Sequence, residues 1–370
     1  MPLTSSERWR CSSANSVSYR HRQKIQSALL FALIAGFCGF LTWTGWLIED
    51  AFITLRTVDN LINGYGLRWN VAERVQTYTH PLWMAVLTVS TLITGKAYYS
   101  TIIISTAVST AATFILVCRI TTCFRTAIVA LLILGTSQAF VDYSNSGLEN
   151  PLTHLLLAIF FLIYKRPNPS PLILCLIAGL ATLNRMDTIL LYVPALFTVV
   201  GIRHVRSLII GFVPFAIWEA FSLFYYGFLF PNTAYAKLNT NIPFWELVER
   251  GTQYVVESQM TDFLTVPIIG AGIVVAGYSR QTVERTIALG IAIYVVYVIV
   301  IGGGYMSGRF LSAPFFMSLC LLSAKNPIST ERRLIAAVIV IIACNLYSPK
   351  SILLGKNYLF HDDHYTSTSL

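Results

Sequence analysis

The sequence predicts an all-α, polytopic integral membrane protein, and three observations carry that reading. The 370 residues are 55% hydrophobic and only 12% charged, with a mean hydropathy of +0.64, far more apolar than a soluble domain needs to fill its core. Apolar runs recur from residue 27 to residue 347, and their spacing fits roughly eleven helices at about 20 residues per span. The alternating pattern of a membrane barrel is absent, and in hydrocarbon the backbone must be satisfied within its own segment, which helices do.

Taken in order, the first 26 residues are a basic, Ser-rich tail, and the run over 25–48 is too long for a signal-peptide core, so it reads as a signal anchor. The next segment, 49–80, opens on Glu49 and Asp50; Ala51, Phe52, Leu55, Val58, Leu61 and Ile62 follow at helical spacing, which predicts an amphipathic helix lying on the membrane. The run over 81–94 is short enough to be re-entrant or interfacial. Basic turns then alternate with turns that carry distinctive polar residues. Placing the tail, 118–125, 164–169, 202–206, 278–285 and 324–333 in the cytoplasm leaves 49–80, 144–151, 184–187, 227–262 and 302–309 outside. Residues 27–347 form the membrane domain, with 49–80 and 227–262 as its external segments, and 348–370 form a short tail whose His361, Asp362, Asp363 and His364 read as a solvated run.

Charge and cysteine usage exclude other classes. The net charge of +9 is concentrated in the short turns between apolar runs, which is positive-inside topology and not a nucleic-acid surface. The seven cysteines fall in spans or basic turns, which argues against a disulfide framework. No phosphate-loop or dinucleotide pattern occurs, so ATP and NAD are unsupported. A secondary transporter would place ionisable groups near the midplane of two repeated halves; here they gather at one face.

Within that face Asp50 admits two readings: a carboxylate favoured by a helix N-terminus, or a general base or partner for the oxocarbenium-like state of sugar transfer. Arg56, Arg74 and His80 are candidates for phosphate contact, since guanidinium matches phosphate bidentately. In FLFPNTAYAKL (228–238), Pro231 ends a helix, Asn232 can cap the next, and Tyr235 and Lys237 project from a short segment. In IGGGYMSGRFLSAP (301–314) three glycines allow close backbone approach to a ligand, and Arg309 sits where the chain re-enters the membrane. Arg185 and Asp187, in NRMD, either serve a site or pair with each other.

The succession LIEDAFITLR, NLINGYGLRWNVAERVQTYTHPLW, SGLENPL, NRMD, PNTAYAKL and GGGYMSGRF resembles the bacterial membrane glycosyltransferases of the GT-C class, nearest to the branch of the mycobacterial terminal β-(1→2)-arabinofuranosyltransferases. The resemblance covers most of residues 46–314, and its first segment is the specific part. It implies a GT-C-like fold in the bacterial inner membrane. It also implies a polyprenyl-phosphate sugar as donor, a cell-envelope glycan or surface protein as acceptor, and a site facing the periplasm or exterior. Asp50 becomes the catalytic carboxylate and Glu49 its companion. Arg56, Lys237 and Arg309 become donor-phosphate ligands, and Arg74, Tyr78, His80, Arg185, Asn232 and Tyr235 position substrate. The resemblance commits to no cofactor, and a divalent cation is admissible. Two departures stand out. Relatives usually carry an Asp in GGDxMxGR where this chain has Gly304, and the chain stops soon after its last apolar run, without the larger soluble C-terminal domain of the mycobacterial enzymes.

Overall fold

A computed structural model describes residues 16–201, 204–232, 235 and 242–348. Lys237, Cys11 and the tail from 349 to 370 lie outside the described residues. Those described are helical and carry no strand. Three helices are long and apolar enough to cross a membrane: 23 residues over His21–Trp43, within α1 (Ser16–Trp43); 24 over Ala97–Ile120, made of α4 (Ala97–Ile115) and a π turn; and 19 over Thr282–Val300 (α14). Three bent pairs raise the number to six if each is one span: α5 (Phe124–Thr136) with α6 (Gln138–Ser144) at 72°, α10 (Val205–Gly211) with α11 (Val213–Tyr226) at 49°, and α12 (Phe244–Thr261) with α13 (Thr265–Gly277) at 110°. The remaining apolar helices are α3 (Pro81–Thr94), α7 (Asn150–Tyr164), α8 (Pro171–Asn184), α9 (Ile189–Val200) and α15 (Ser312–Ala324). At 1.5 Å per residue each is shorter than a hydrocarbon core of about 30 Å.

The breaks have local causes. Ser137 stops α5 and caps α6, its hydroxyl accepting from the Phe140 N–H. Asp262 turns the chain between α12 and α13 by accepting from the N–H groups of Leu264 (2.8 Å) and Thr265 (3.2 Å). In both places a side chain satisfies backbone donors that the bend would otherwise strand.

The basic turns meet at one end of the molecule. The Thr122 N–H donates to Asn326 (3.1 Å), Arg125 donates to the Ser329 carbonyl (2.8 Å), and Lys325 pairs with Glu284. The loops carrying Glu149, Arg185 and Arg309 meet at the other end, through ion pairs. α4 runs between the two, since Thr101 in its second turn lies 3.4 Å from where a Cβ on Gly147 would sit. α3 starts just after its N-cap His80, on the same side as Gly147, and spans about 21 Å; seven residues after its end, at Thr101, the chain is back beside Gly147.

The predicted amphipathic helix over 49–62 is α2 (Glu49–Ile62). Ala51, Leu55 and Val58 are buried, the last two packing with Tyr78, Trp83, Met84 and Leu87, whereas Phe52 and Ile62 stay exposed. Its apolar stripe therefore splits between protein and surroundings. In the segment over 227–262, α12 likewise divides its surface, burying Gly251, Tyr254 and Ser258 and leaving Trp245 and Met260 outward.

Candidate active site

Pro151 fixes the start of α7, and Glu149 takes the capping position before it, where the helix dipole favours a carboxylate. The Glu149 side chain is 1% exposed. Three groups close on it: Arg185 Nη1 at 2.9 Å, Arg309 Nη2 at 3.2 Å from both oxygens, and His80 Nδ1 at 3.3 Å. Burial by itself would push its carboxyl pKa up; the two guanidiniums and His80 outweigh burial and hold it well below the ordinary carboxylate range.

Each neighbour has a second partner that fixes it. Arg185 makes a bidentate pair with Asp187 (2.7 and 2.9 Å) and lies over the Phe310 ring at 4.5 Å. Arg309 reaches past Glu149 to Asp50, with Nη1 3.5 Å from Oδ2. His80 Nε2 lies 2.8 Å from the Thr54 hydroxyl on α2. Burial lowers the His80 pKa and Glu149 pulls it back only in part, so the ring is neutral near pH 7. A neutral ring with its proton on Nδ1 donates to Glu149 and accepts from Thr54.

The loop before α7 sets the position of α2. Gly147 has φ +83, and a Cβ there would lie 2.7 Å from Ala51 Cβ and 2.9 Å from Leu47 Cδ2. Its carbonyl accepts from the Trp83 indole (2.9 Å), and the Ser146 carbonyl accepts from the Ile48 N–H (3.0 Å). Only a residue without a side chain lets the loop and α2 approach this closely. Asp50 is thereby held beside Arg309 with its side chain 36% exposed, while Glu149 and Asp187 are at 1% and 11%.

The structure brings together Asp50, His80, Arg185 and Arg309, and it puts the other candidates elsewhere. Glu49 is exposed beside the cluster. Arg56 lies over the Trp69 ring (4.4 Å) and donates to Asn70 (3.4 Å). Arg74 lies over the Tyr225 ring, 4.9 Å from its centroid. Tyr78 is buried, its hydroxyl 3.0 Å from that of Tyr226; burial and then Tyr226 raise its pKa. The Asn232 N–H donates to the Gln76 carbonyl (3.3 Å), and its buried Oδ1 has no partner. Tyr235 packs on Phe228 and Phe230. His80 and Tyr78 thus lie beneath the surface of the site, and Arg185 and Arg309 face carboxylates.

Glu149 and Asp187 complete the cluster, and reading motifs one at a time does not give Glu149 its weight. Its three partners lie 36, 69 and 160 residues away along the chain. The available signal was an acidic residue immediately before Asn-Pro at the mouth of an apolar run. Arg309 supplies positive charge between Asp50 and Glu149. Among the described residues no three His, Cys, Asp or Glu side chains group as a metal site. At Gly304 a Cβ would meet the Phe310 ring at 2.7 Å; the ring that covers Arg185 fills the space next to this departure from the family pattern.

No family model matches the chain. Over 354 residues it is 28% identical to the terminal β-(1→2)-arabinofuranosyltransferase of Corynebacterium glutamicum, covering 80% of this chain and 51% of that protein. Over 342 residues it is 27% identical to the terminal β-(1→2)-arabinofuranosyltransferase of Mycobacterium tuberculosis, covering 78% of this chain and 54% of that one. The likeness that the motifs imply is thus found along most of the chain, which spans about half the length of these curated relatives.

Proposed function

We propose that this chain is a membrane glycosyltransferase. It moves a sugar, of the arabinofuranose type, from a polyprenyl-phosphate donor to a cell-envelope glycan or surface-protein acceptor, at the external face of the bacterial inner membrane. One observation carries the reading: of the three carboxylates in the cluster, Asp50 alone is open, at 36% exposure, and it is anchored to the sealed pair by Arg309. The similarity to two arabinofuranosyltransferases supports the class of reaction.

In this mechanism the acceptor hydroxyl oxygen forms the new bond to the anomeric carbon as the bond from that carbon to the donor phosphate oxygen breaks. Asp50 takes the hydroxyl proton, and the lipid phosphate leaves with the bonding electrons. The guanidinium of Arg309, 3.5 Å from Asp50, stabilises the phosphate as it departs. Asp187 pairs with Arg185, Glu149 holds both Arg185 and Arg309 in place, and His80 links Glu149 to α2. They position Asp50 and do not touch substrate.

The experiment is transfer in liposomes: purified protein, a panel of polyprenyl-phosphate sugars, and mass spectrometry of the products. Asp50→Asn is expected to lower turnover by about 10²–10⁴-fold, the usual weight of a general base, with the protein still folded. Full activity of that variant removes Asp50 from the chemistry. Labelled donor crossing the bilayer with no sugar transferred makes the protein a carrier.

A further inference from the structure

Arg68 and Arg74 converge on one tyrosine. Arg68 Nε lies 3.3 Å from the Tyr225 hydroxyl, and the Arg74 guanidinium lies over the ring of the same residue. Tyr225 stands in the last turn of α11. The loop is shaped for it: Gly66 has φ +87, and a Cβ there would lie 2.7 Å from the Tyr225 hydroxyl. Among the described residues no carboxylate lies within 4.0 Å of either arginine, although Arg185, Arg250 and Arg309 are each paired. The nearest acidic residue in sequence, Glu73, accepts from Asn70 at 2.6 Å. The other side-chain hydrogen bond of Arg68 is donated to the Val71 carbonyl (2.9 Å).

Two guanidiniums held against one ring without a counter-ion raise the local positive potential, and the planar fork suits a phosphate. The surface leading to them is apolar. Along α11 Ile217, Leu223 and Phe224 are 64%, 52% and 87% exposed, and Phe228 and Leu229 continue past its end. An apolar face ending in a pair of cations has the charge layout of a hydrocarbon chain with an anionic head. The site is separate from the Asp50 cluster. Asn60 ties the Arg68 and Trp69 carbonyls to α2 at 2.8 and 3.0 Å, and it follows Asp50 by ten residues, about 15 Å along the helix.

We infer that Arg68, Arg74 and Tyr225 form a docking site for the phosphate of a membrane lipid whose chain lies along α11. The inference does not depend on the transfer reaction, and its test measures binding alone. Native mass spectrometry of the full chain in detergent would compare farnesyl phosphate, farnesol and inorganic phosphate as probes. The wild type is expected to retain farnesyl phosphate. Arg68→Gln/Arg74→Gln should weaken that binding at least about tenfold, as expected for the loss of charge-assisted hydrogen bonds, and leave farnesol unaffected. Arg280→Gln/Arg332→Gln removes the same charge at two exposed positions and should change nothing. Equal binding by wild type and the Arg68/Arg74 variant overturns the site. So does competition by inorganic phosphate at the same concentration as farnesyl phosphate, which would mark an adventitious anion contact.

Discussion

Glu149 carries more of the site than any other single residue, because three groups from distant parts of the chain depend on its charge. Removing one partner from a buried ion pair leaves the other uncompensated, at a cost of about 3–5 kcal/mol. Glu149→Gln keeps the shape and loses the charge, so it should lower the melting temperature by several degrees and reduce transfer through a displaced Arg309. An unchanged melting curve would mean that Asp50 and Asp187 satisfy the arginines without it. The pH dependence has a definite sign. The folded-state pKa of Glu149 lies below its ordinary 4.5, and that of His80 below its ordinary 6.5. Each group therefore contributes stability that is fully present above its ordinary value and is lost as pH falls. The wild type should begin to lose stability below pH 6.5 and lose it more steeply below 4.5, and Glu149→Gln should lack the steeper part; thermal melts across pH 3–8 measure both. At this scale the sequence exposed Asp50, Arg185 and Arg309 because an ionisable residue at the edge of an apolar run is conspicuous. It did not expose the pairing of Glu149 with Arg309, which exists only once α7 and the loop before α15 are packed together.

Among the elements, α2 does what its sequence pattern suggests, but the pattern leaves its placement open. An amphipathic helix beginning with two carboxylates is legible in EDAFITLR. That Gly147 is the contact which seats it is not, since nothing in SGLENP distinguishes a turn glycine from a spacer against another helix. The same limit applies to the helix breaks at Ser137 and Asp262, where polar side chains look like ordinary loop residues until they are seen capping. Gly147→Ala tests the seating. Its Cβ would meet Ala51 and Leu47 at under 3 Å, and its φ of +83 is unfavourable for alanine; overpacking of this kind costs about 1–3 kcal/mol, and a left-handed residue about 1–2 more. The variant should melt earlier and lose kcat more than KM, because displacement of α2 moves Asp50 away from Arg309. A proportional rise in KM with kcat intact would assign the loop to substrate binding instead.

For the whole molecule, the consequential feature is the separation of charge between its two ends. The basic turns at 118–125, 278–285 and 324–333 are joined by hydrogen bonds and an ion pair at one end, and the Asp50–Arg309–Glu149 cluster lies at the other. This separation could be read from composition because lysine and arginine in short loops are retained on the cytoplasmic side. The number of spans could not, since several apolar helices are too short to cross alone and others are bent, so length and hydropathy no longer count crossings. Sidedness can be measured directly. In a cysteine-free background, Tyr65→Cys beside α2 and Arg332→Cys at the start of α16 (Glu331–Tyr347) both introduce a thiol at an exposed position. In intact cells an impermeant maleimide should label the first and spare the second, and permeabilisation should expose the second. Labelling of both from outside would put the two ends on one face, and the donor would then have no reason to approach from the outer leaflet. Labelling reversed between them would turn the site toward the cytoplasm, where a soluble nucleotide sugar could reach Asp50 and a lipid-linked donor would be unnecessary.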